Sequence, residues 1–290
     1  MTFDSRELPP APHASAEAPP LGDVRRLSFN QATAERASLR EVVEACARNS
    51  VPAVGIWRHK YADIGVQTAA RLVRDAGLQV SSVCRGGMFP AATAAERAAR
   101  VADTRRAIDE AAALGAELLV LVSGAAPDRD IAGARAMVAD GIAAVVEHAA
   151  SSNLRLGIEP LHPAFAGDRS CITTLREARH LAEQFDAATV GVVVDVYHVW
   201  WDPEREAETA RLGRRVLGYH VNDWLVPPQD VLMNRGMMGD GVIELRRCRA
   251  EVERAGYRGL IEVEIFNAQI WAMPVDELVA LTAKRFVEFV

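Results

Sequence analysis

The stretch Gly191-Val-Val-Val-Asp195 is a run of small and β-branched residues that ends directly on a carboxylate. An unbroken apolar run suits a strand covered on both faces, as in a parallel sheet lying between helices. The last residue of such a strand projects from the carboxyl edge, where open α/β sheets and α/β barrels bind ligands. Read alone, Asp195 serves equally well as a cap for the turn that follows it. Three further runs repeat the arrangement: residues 154–158 lead to Glu159, residues 216–219 to His220 and residues 260–263 to Glu264. Successive separations of 36, 25 and 44 residues are what a strand, a helix and their loops occupy in consecutive βα units. Four chemistry-bearing residues at successive strand ends are therefore expected to converge on one enclosed mouth.

Two glutamates, an aspartate and one imidazole, with no thiolate, are an oxygen-rich donor set. It suits one divalent ion such as Mn²⁺, Mg²⁺ or Co²⁺ better than a closed structural zinc site, with Zn²⁺ as an alternative. The rest of the chain narrows the chemistry. Only Lys60 and Lys284 are lysines, and Lys284 falls in the last expected helix, so Schiff-base chemistry has almost no candidate. Cys46, Cys84, Cys171 and Cys248 are far apart with no CxxC pair, the pattern of reduced thiols in a cytoplasmic protein. A net charge of −6 argues against a nucleic-acid-binding surface.

From residue 24 onward, strand-like and helix-like stretches alternate eight times in the 290 residues, so an α/β class with a single (β/α)8 TIM barrel is expected. Strand one is placed at residues 26–29, strand two at 53–56, strand three at 78–83 and strand four at 118–122. Helices are placed at 94–114, stopped by Gly115, and at 131–150. Ser38-Leu-Arg-Glu41 and Thr174-Leu-Arg-Glu177 read as capping boxes. Residues 1–22, with Pro9, Pro10, Pro12, Pro19 and Pro20, are expected to form a flexible tail, leaving residues 23–290 as the catalytic domain. No stretch reads as a membrane span, because the apolar window at 111–126 is broken by Gly115, Glu117 and Gly124.

Other residues cluster near the expected mouth. Trp57 follows strand two and is a candidate wall of the site, or plain packing. Cys84 reads as a wall rather than a nucleophile. His198 lies three residues after Asp195, ahead of Trp200 and Trp201, which either floor a sugar site or pack a loop. After His220, the chain runs through Asp223 and Arg235 to Gly236, Gly239 and Gly241. That loop is a weak candidate phosphate cradle, whereas Arg235 is a natural partner for a substrate oxygen.

The motifs Ile158-Glu159-Pro160, Val194-Asp195-x-x-His198, Tyr219-His220-Val221-x-Asp223, Arg235-x-x-x-Gly239-x-Gly241 and Glu262-Val-Glu264-Ile-Phe266 resemble the xylose isomerase-like barrel superfamily. They are most similar to its ketose 3-epimerase and inosose isomerase branch. The resemblance implies that Glu159, Asp195, His220 and Glu264 hold one divalent metal, with Glu159 and Glu264 also moving protons. It further implies that His198 and Arg235 contact the substrate. His162, two residues on from Pro160, either points into the mouth or is a plain loop histidine, and it joins Trp57 and Asp223 as a further candidate for substrate binding. Xylose isomerases proper place a lysine two residues beyond the strand-five glutamate, where this chain has Leu161, so a hydride shift is not expected. The implied activity is isomerisation or epimerisation of a sugar, inosose or sugar phosphate by proton transfer through a metal-stabilised enediolate. An inosose-type dehydratase on the same metal is the alternative; a non-catalytic sugar-binding barrel and an AP-endonuclease-like nuclease are weaker ones. The expected partner is a small sugar or cyclitol, without nucleic acid or membrane, in a homodimer or homotetramer.

Overall fold

The computed structural model describes residues 17–290. Eight parallel strands form a closed barrel: β1 (Leu27–Asn30), β2 (Ala53–Trp57), β3 (Gln79–Gly87), β4 (Leu118–Val122), β5 (Arg155–Glu159), β6 (Val190–Asp195), β7 (Val216–Val221) and β8 (Ile261–Val263). Each pairs with the next, and β8 returns to β1 through Leu27↔Ile261 and Phe29↔Val263. The expected (β/α)8 barrel is observed. Among the described residues, no helix is long and apolar enough to cross a membrane.

Strand parity explains both the core and the site. Along β4 every residue is apolar and buried, but successive side chains point to opposite faces. Leu119 and Leu121 join the large cluster beneath the helices, while Leu118 and Val120 meet Val193, Leu217 and Cys84 inside the barrel. The same alternation sends Leu156, Ile158, Val192, Val194, Ile261 and Val263 outward. It leaves Glu159, Asp195 and Glu264 on the inward parity at the carboxyl ends of their strands.

Several boundaries differ from expectation for identifiable reasons. The helix expected over residues 131–150 is two, Ile131–Ala143 and Val146–Ser151. Between them the Ala144 carbonyl accepts a bond from Arg105 Nη2 at 2.7 Å rather than serving a continuous helix. The box at Ser38 and Glu41 is complete, whereas at Thr174 only half forms. There the Glu177 carboxylate accepts from the Thr173 N–H at 2.8 Å instead of reaching back to Thr174. A complete box not read from the sequence, Thr93 with Glu96, starts the helix Ala94–Leu114. Residues 1–16 of the expected tail lie outside the described residues. Residues 17–22 do not hang free: the Ala18 N–H donates to Arg246 O at 3.3 Å, and Arg249 Nη2 donates to Pro19 O.

Candidate metal centre

At the carboxyl end of the barrel, Glu159 from β5, Asp195 from β6, His220 from β7 and Glu264 just beyond β8 are all buried. One ligand atom from each lies within 4.8 Å of all the others. His220 Nδ1 is 3.2 Å from Glu159 Oε1. The pair lacks hydrogen-bond geometry, and Glu159 Oε1 and both His220 nitrogens have no hydrogen-bond partner. Buried polar atoms are rarely left so, and the adjacent orphans Glu159 Oε1 and His220 Nδ1 fit ligands of a divalent cation.

The electrostatics of the cluster follow from charge crowded into a dry space. Burial pushes the Glu264 carboxyl up to about 7, with Glu159 and Asp195 adding to the rise against Arg235 and His220. Burial opposes a charged ring at His220, yet Glu262, Glu159 and Glu264 outweigh it and raise that ring to about 10. Asp195 Oδ1 caps the Tyr197 N–H at 2.9 Å, as the turn-cap reading expects, while Oδ2 accepts from Arg235 Nη1 at 2.8 Å.

Arg235 differs from the expectation of a substrate contact alone. Its Nη1 also donates to Glu264 Oε2 at 3.0 Å, so one guanidinium bridges two of the four carboxyl-bearing or imidazole side chains. The guanidinium lies between the rings of Tyr197 and Phe266, at 4.7 and 4.9 Å from their centroids. A buried arginine needs such counter-charges to offset its lost hydration. Its Nη2 approaches His198 Nε2 at 3.2 Å, while His198 Nδ1 accepts from the His162 N–H at 3.1 Å. Burial lowers His198 to about 3, leaving the ring neutral with a single lone pair. With Nδ1 accepting, the proton sits on Nε2, and the Arg235 approach is a contact rather than a hydrogen bond.

A second buried layer below the four was not anticipated. Glu262, on the inward parity of β8, accepts from Asn30 Nδ2 at 2.6 Å, Ser81 Oγ at 2.6 Å and Ser82 Oγ at 2.9 Å. Its Oε1 lies 3.8 Å from His220 Nε2, on the side of the ring away from Glu159. Gly55 is required here, since a Cβ at that position would lie 2.2 Å from Glu262 Oε1. Asn30 also donates to Glu264 Oε1 at 3.0 Å, which ties the two layers together. The signal was present as polar residues at inward positions of otherwise apolar strands, legible only once parity is assigned.

Other expectations are redirected. Asp223 organises its own loop: its carboxylate accepts the N–H groups of Trp224, Gly239 and Ile243 at 2.9, 3.0 and 3.0 Å. Those bonds use amides that a phosphate cradle would need, and Gly239 packs on Phe289. Asp223→Ala is therefore expected to lower unfolding stability by at least about 2 kcal/mol, since three charge-assisted bonds are lost. Thermal unfolding checks this; a fully stable variant that has lost ligand binding would return Asp223 to the site. His162 stacks on Trp224 at 5.1 Å and reaches the mouth only through its bond to His198. Trp200 packs on Trp224 at 5.6 Å, and the Trp201 indole donates to His198 O at 2.8 Å, so both pack the loop. Trp57 does wall the mouth, its indole N–H shared between Asn30 Oδ1 at 3.1 Å and Glu264 Oε1 at 3.3 Å.

Above the four residues opens a cavity of about 430 Å³, walled by Trp57, Cys84, Leu161, Phe165, His198 and Phe266 among others. A roomier hollow of about 590 Å³ lies by the amino-terminal ends of β3 and β4 and contains none of the four.

Residues 34–286 match the family described as xylose isomerase-like TIM barrel. A 3-dehydroshikimate dehydratase of Pseudomonas aeruginosa is 27% identical over 246 residues, 82% of this chain but 37% of that protein, so the chain spans little more than a third of this relative's length. A crystal structure of a protein from Sinorhizobium meliloti 1021 superposes with a TM-score of 0.89 at 46% identity, covering 92% of this chain and 98% of that one. The structure of an IolI protein with a zinc atom gives a TM-score of 0.81 at 17% identity, covering 91% and 98% of the two chains, a likeness of fold.

Proposed function

Because the chain belongs to the xylose isomerase-like TIM barrel family, we propose that it is a divalent-metal-dependent isomerase or epimerase of a sugar, inosose or sugar phosphate. The observation that carries this reading is the pair of buried glutamates, Glu159 and Glu264, on strands three apart in a ring of eight, facing one centre with Asp195 and His220. In this reading the four residues hold the cation, which supplies Lewis-acid polarisation of a substrate carbonyl and its neighbouring hydroxyl.

The remaining steps belong to the chain. Glu264, as the general base, removes the proton α to the carbonyl. Glu159, across the mouth, returns a proton to the opposite face for epimerisation or to the adjacent carbon for isomerisation. Arg235 fixes Asp195 and Glu264 in place, and the Nε2–H of the neutral His198 is a donor for a substrate oxygen. Trp57, Phe165 and Phe266 cover the reacting atoms with apolar surface, which keeps water from the enediolate.

A dehydratase is the second reading, favoured by the similarity to 3-dehydroshikimate dehydratase. It shares the α-proton abstraction but then expels a β-hydroxyl, so the product is one water lighter. Proton NMR of reactions in deuterated solvent, across a panel of ketoses, inososes and their acids and phosphates, separates the readings. Deuterium at the α-carbon without loss of water supports the isomerase or epimerase, and an unsaturated product supports the dehydratase. Elemental analysis is expected to give about one divalent ion per chain. Asp195→Ala and His220→Ala should abolish it; two or three ions, or content unchanged in those variants, would contradict the assignment.

A further inference from the structure

The mouth carries more positive charge than its four-residue centre engages. Arg235 is committed to Asp195 and Glu264; in the same cavity Arg169 meets only its exposed neighbour Asp168, and Arg85 has no ion-pair partner among the described residues. The position of Arg85 is set by β3. Cys84 pairs with Val120 and Gly86 with Leu121, so Arg85 is one extra residue with no counterpart on β4. Bulges of this kind turn a side chain out of the ladder, and they concentrate beside active sites. Gly87, at φ +97°, lets the chain continue past the Val122 carbonyl, where a Cβ would lie 2.3 Å from the oxygen.

Arg85 is thereby delivered to the wall shared by the mouth and an adjoining cavity of about 260 Å³ that also meets Arg58, Arg100 and Asp103. Among the described residues nothing neutralises it. Asp103 is held by Arg58 at 2.9 Å and Arg106 at 2.8 Å, and Arg58 is paired again with Glu110 at 2.7 Å. Arg169 has only its exposed neighbour Asp168 at 3.5 Å, and its guanidinium stands 5.8 Å from the Phe165 ring. Burial holds the Arg85 guanidinium below its ordinary value; Cys84 and Asp103 oppose that fall, while Arg169 and Arg100 deepen it. A half-buried, permanently charged group among like charges is stabilised by an anion.

We propose that Arg85, with Arg169 beside it, is the subsite for an oxyanion substituent, so that the substrate is an anionic polyhydroxy ketone bearing a carboxylate or a phosphate. The guanidinium fork matches either group bidentately. The position of Arg85 also orients the molecule: the ketone end lies at Glu159 and Glu264 and the anionic end at Arg85. This rests on the proton-transfer reading for the ketone end only, since the anion site is measurable by itself.

Calorimetric titration of the full chain loaded with Mn²⁺ tests it, using three ligands that share one ketose skeleton: D-fructose, D-fructuronate and D-fructose 6-phosphate. One of the anions should bind about tenfold or more tightly than D-fructose, the weight of one charge-assisted contact. Which anion does so distinguishes a sugar acid from a sugar phosphate. Arg85→Met should erase that preference with D-fructose binding and metal content unchanged, and Arg85→Lys should restore part of it. If neither anion binds more tightly than D-fructose, or the preference survives Arg85→Met, the subsite is overturned. An Arg85-dependent anion preference in a protein that never exchanges an α-hydrogen would leave the subsite standing and sink the proton-transfer reading.

Discussion

Replacing Glu264 with Gln is expected to slow exchange of the substrate α-hydrogen with deuterated solvent by about 10²-fold or more, the ordinary weight of a positioned general base. The amide keeps the shape of the side chain and a carbonyl oxygen for a cation, but it cannot accept a proton. Metal content should therefore fall modestly while exchange collapses. Glu159→Gln should behave alike from the other side of the mouth, and in an epimerase the two variants should differ in which epimer still exchanges. NMR exchange rates with elemental analysis on the same samples check this. Wild-type exchange in both variants would remove the two-glutamate mechanism, and loss of the metal in both would show that their role is ligation alone.

Replacing Arg235 with Met should destabilise the metal-free protein strongly. The guanidinium is the counter-charge for two buried carboxylates, through Asp195 Oδ2 at 2.8 Å and Glu264 Oε2 at 3.0 Å. Removing one member of a buried charge pair costs about 3–5 kcal/mol, because the remaining charges stay buried and unpaired. At roughly 2–4 °C per kcal/mol for a large domain, thermal unfolding should shift down by about 6–20 °C. Added Mn²⁺ should recover much of the loss by supplying positive charge to the same carboxylates. Arg235→Lys should recover part of it, since both bonds come from the single atom Nη1 and an ammonium supplies that charge, but without the guanidinium's stacking between Tyr197 and Phe266. An unchanged unfolding temperature in metal-free Arg235→Met would show that the bridge contributes nothing.

The barrel was legible because its signals are local. Residues 118–122 form a strand where an unbroken apolar run predicts one, and Gly115 stops the preceding helix at φ 70° as a left-handed cap should. The four residues of the candidate centre were legible as a set for the same reason, each ending a run of apolar residues. Glu262 was not, because one carboxylate inside Leu260-Ile-Glu-Val263 reads as an interruption. Its meaning lies in Ser81, Ser82 and Asn30, which are 180 to 232 positions away in the chain.

Two other features depend on backbone register rather than on residue type. Arg85 lies beyond the end expected for strand three at residue 83, yet β3 continues to Gly87 and the one-residue offset against β4 is what aims the side chain. Asp223 and Arg235 stood in neighbouring motifs after His220 and looked alike as site residues. Folding separates them, Asp223 to the amides of Trp224, Gly239 and Ile243, and Arg235 to Asp195 and Glu264. Which reach is used depends on the paired turn Asp223–Trp224 with Arg235–Gly236, a contact no spacing rule anticipates.

The most direct measurement is the rate of solvent deuterium incorporation at the α-carbon of the substrate identified from the panel, before chelation, after removal of divalent ions, and after return of Mn²⁺. Exchange should be lost with the ion and regained with about one equivalent per chain, in wild type but not in Asp195→Ala. Exchange that persists undiminished in the chelated protein would contradict a metal-assisted proton transfer at Glu159, Asp195, His220 and Glu264.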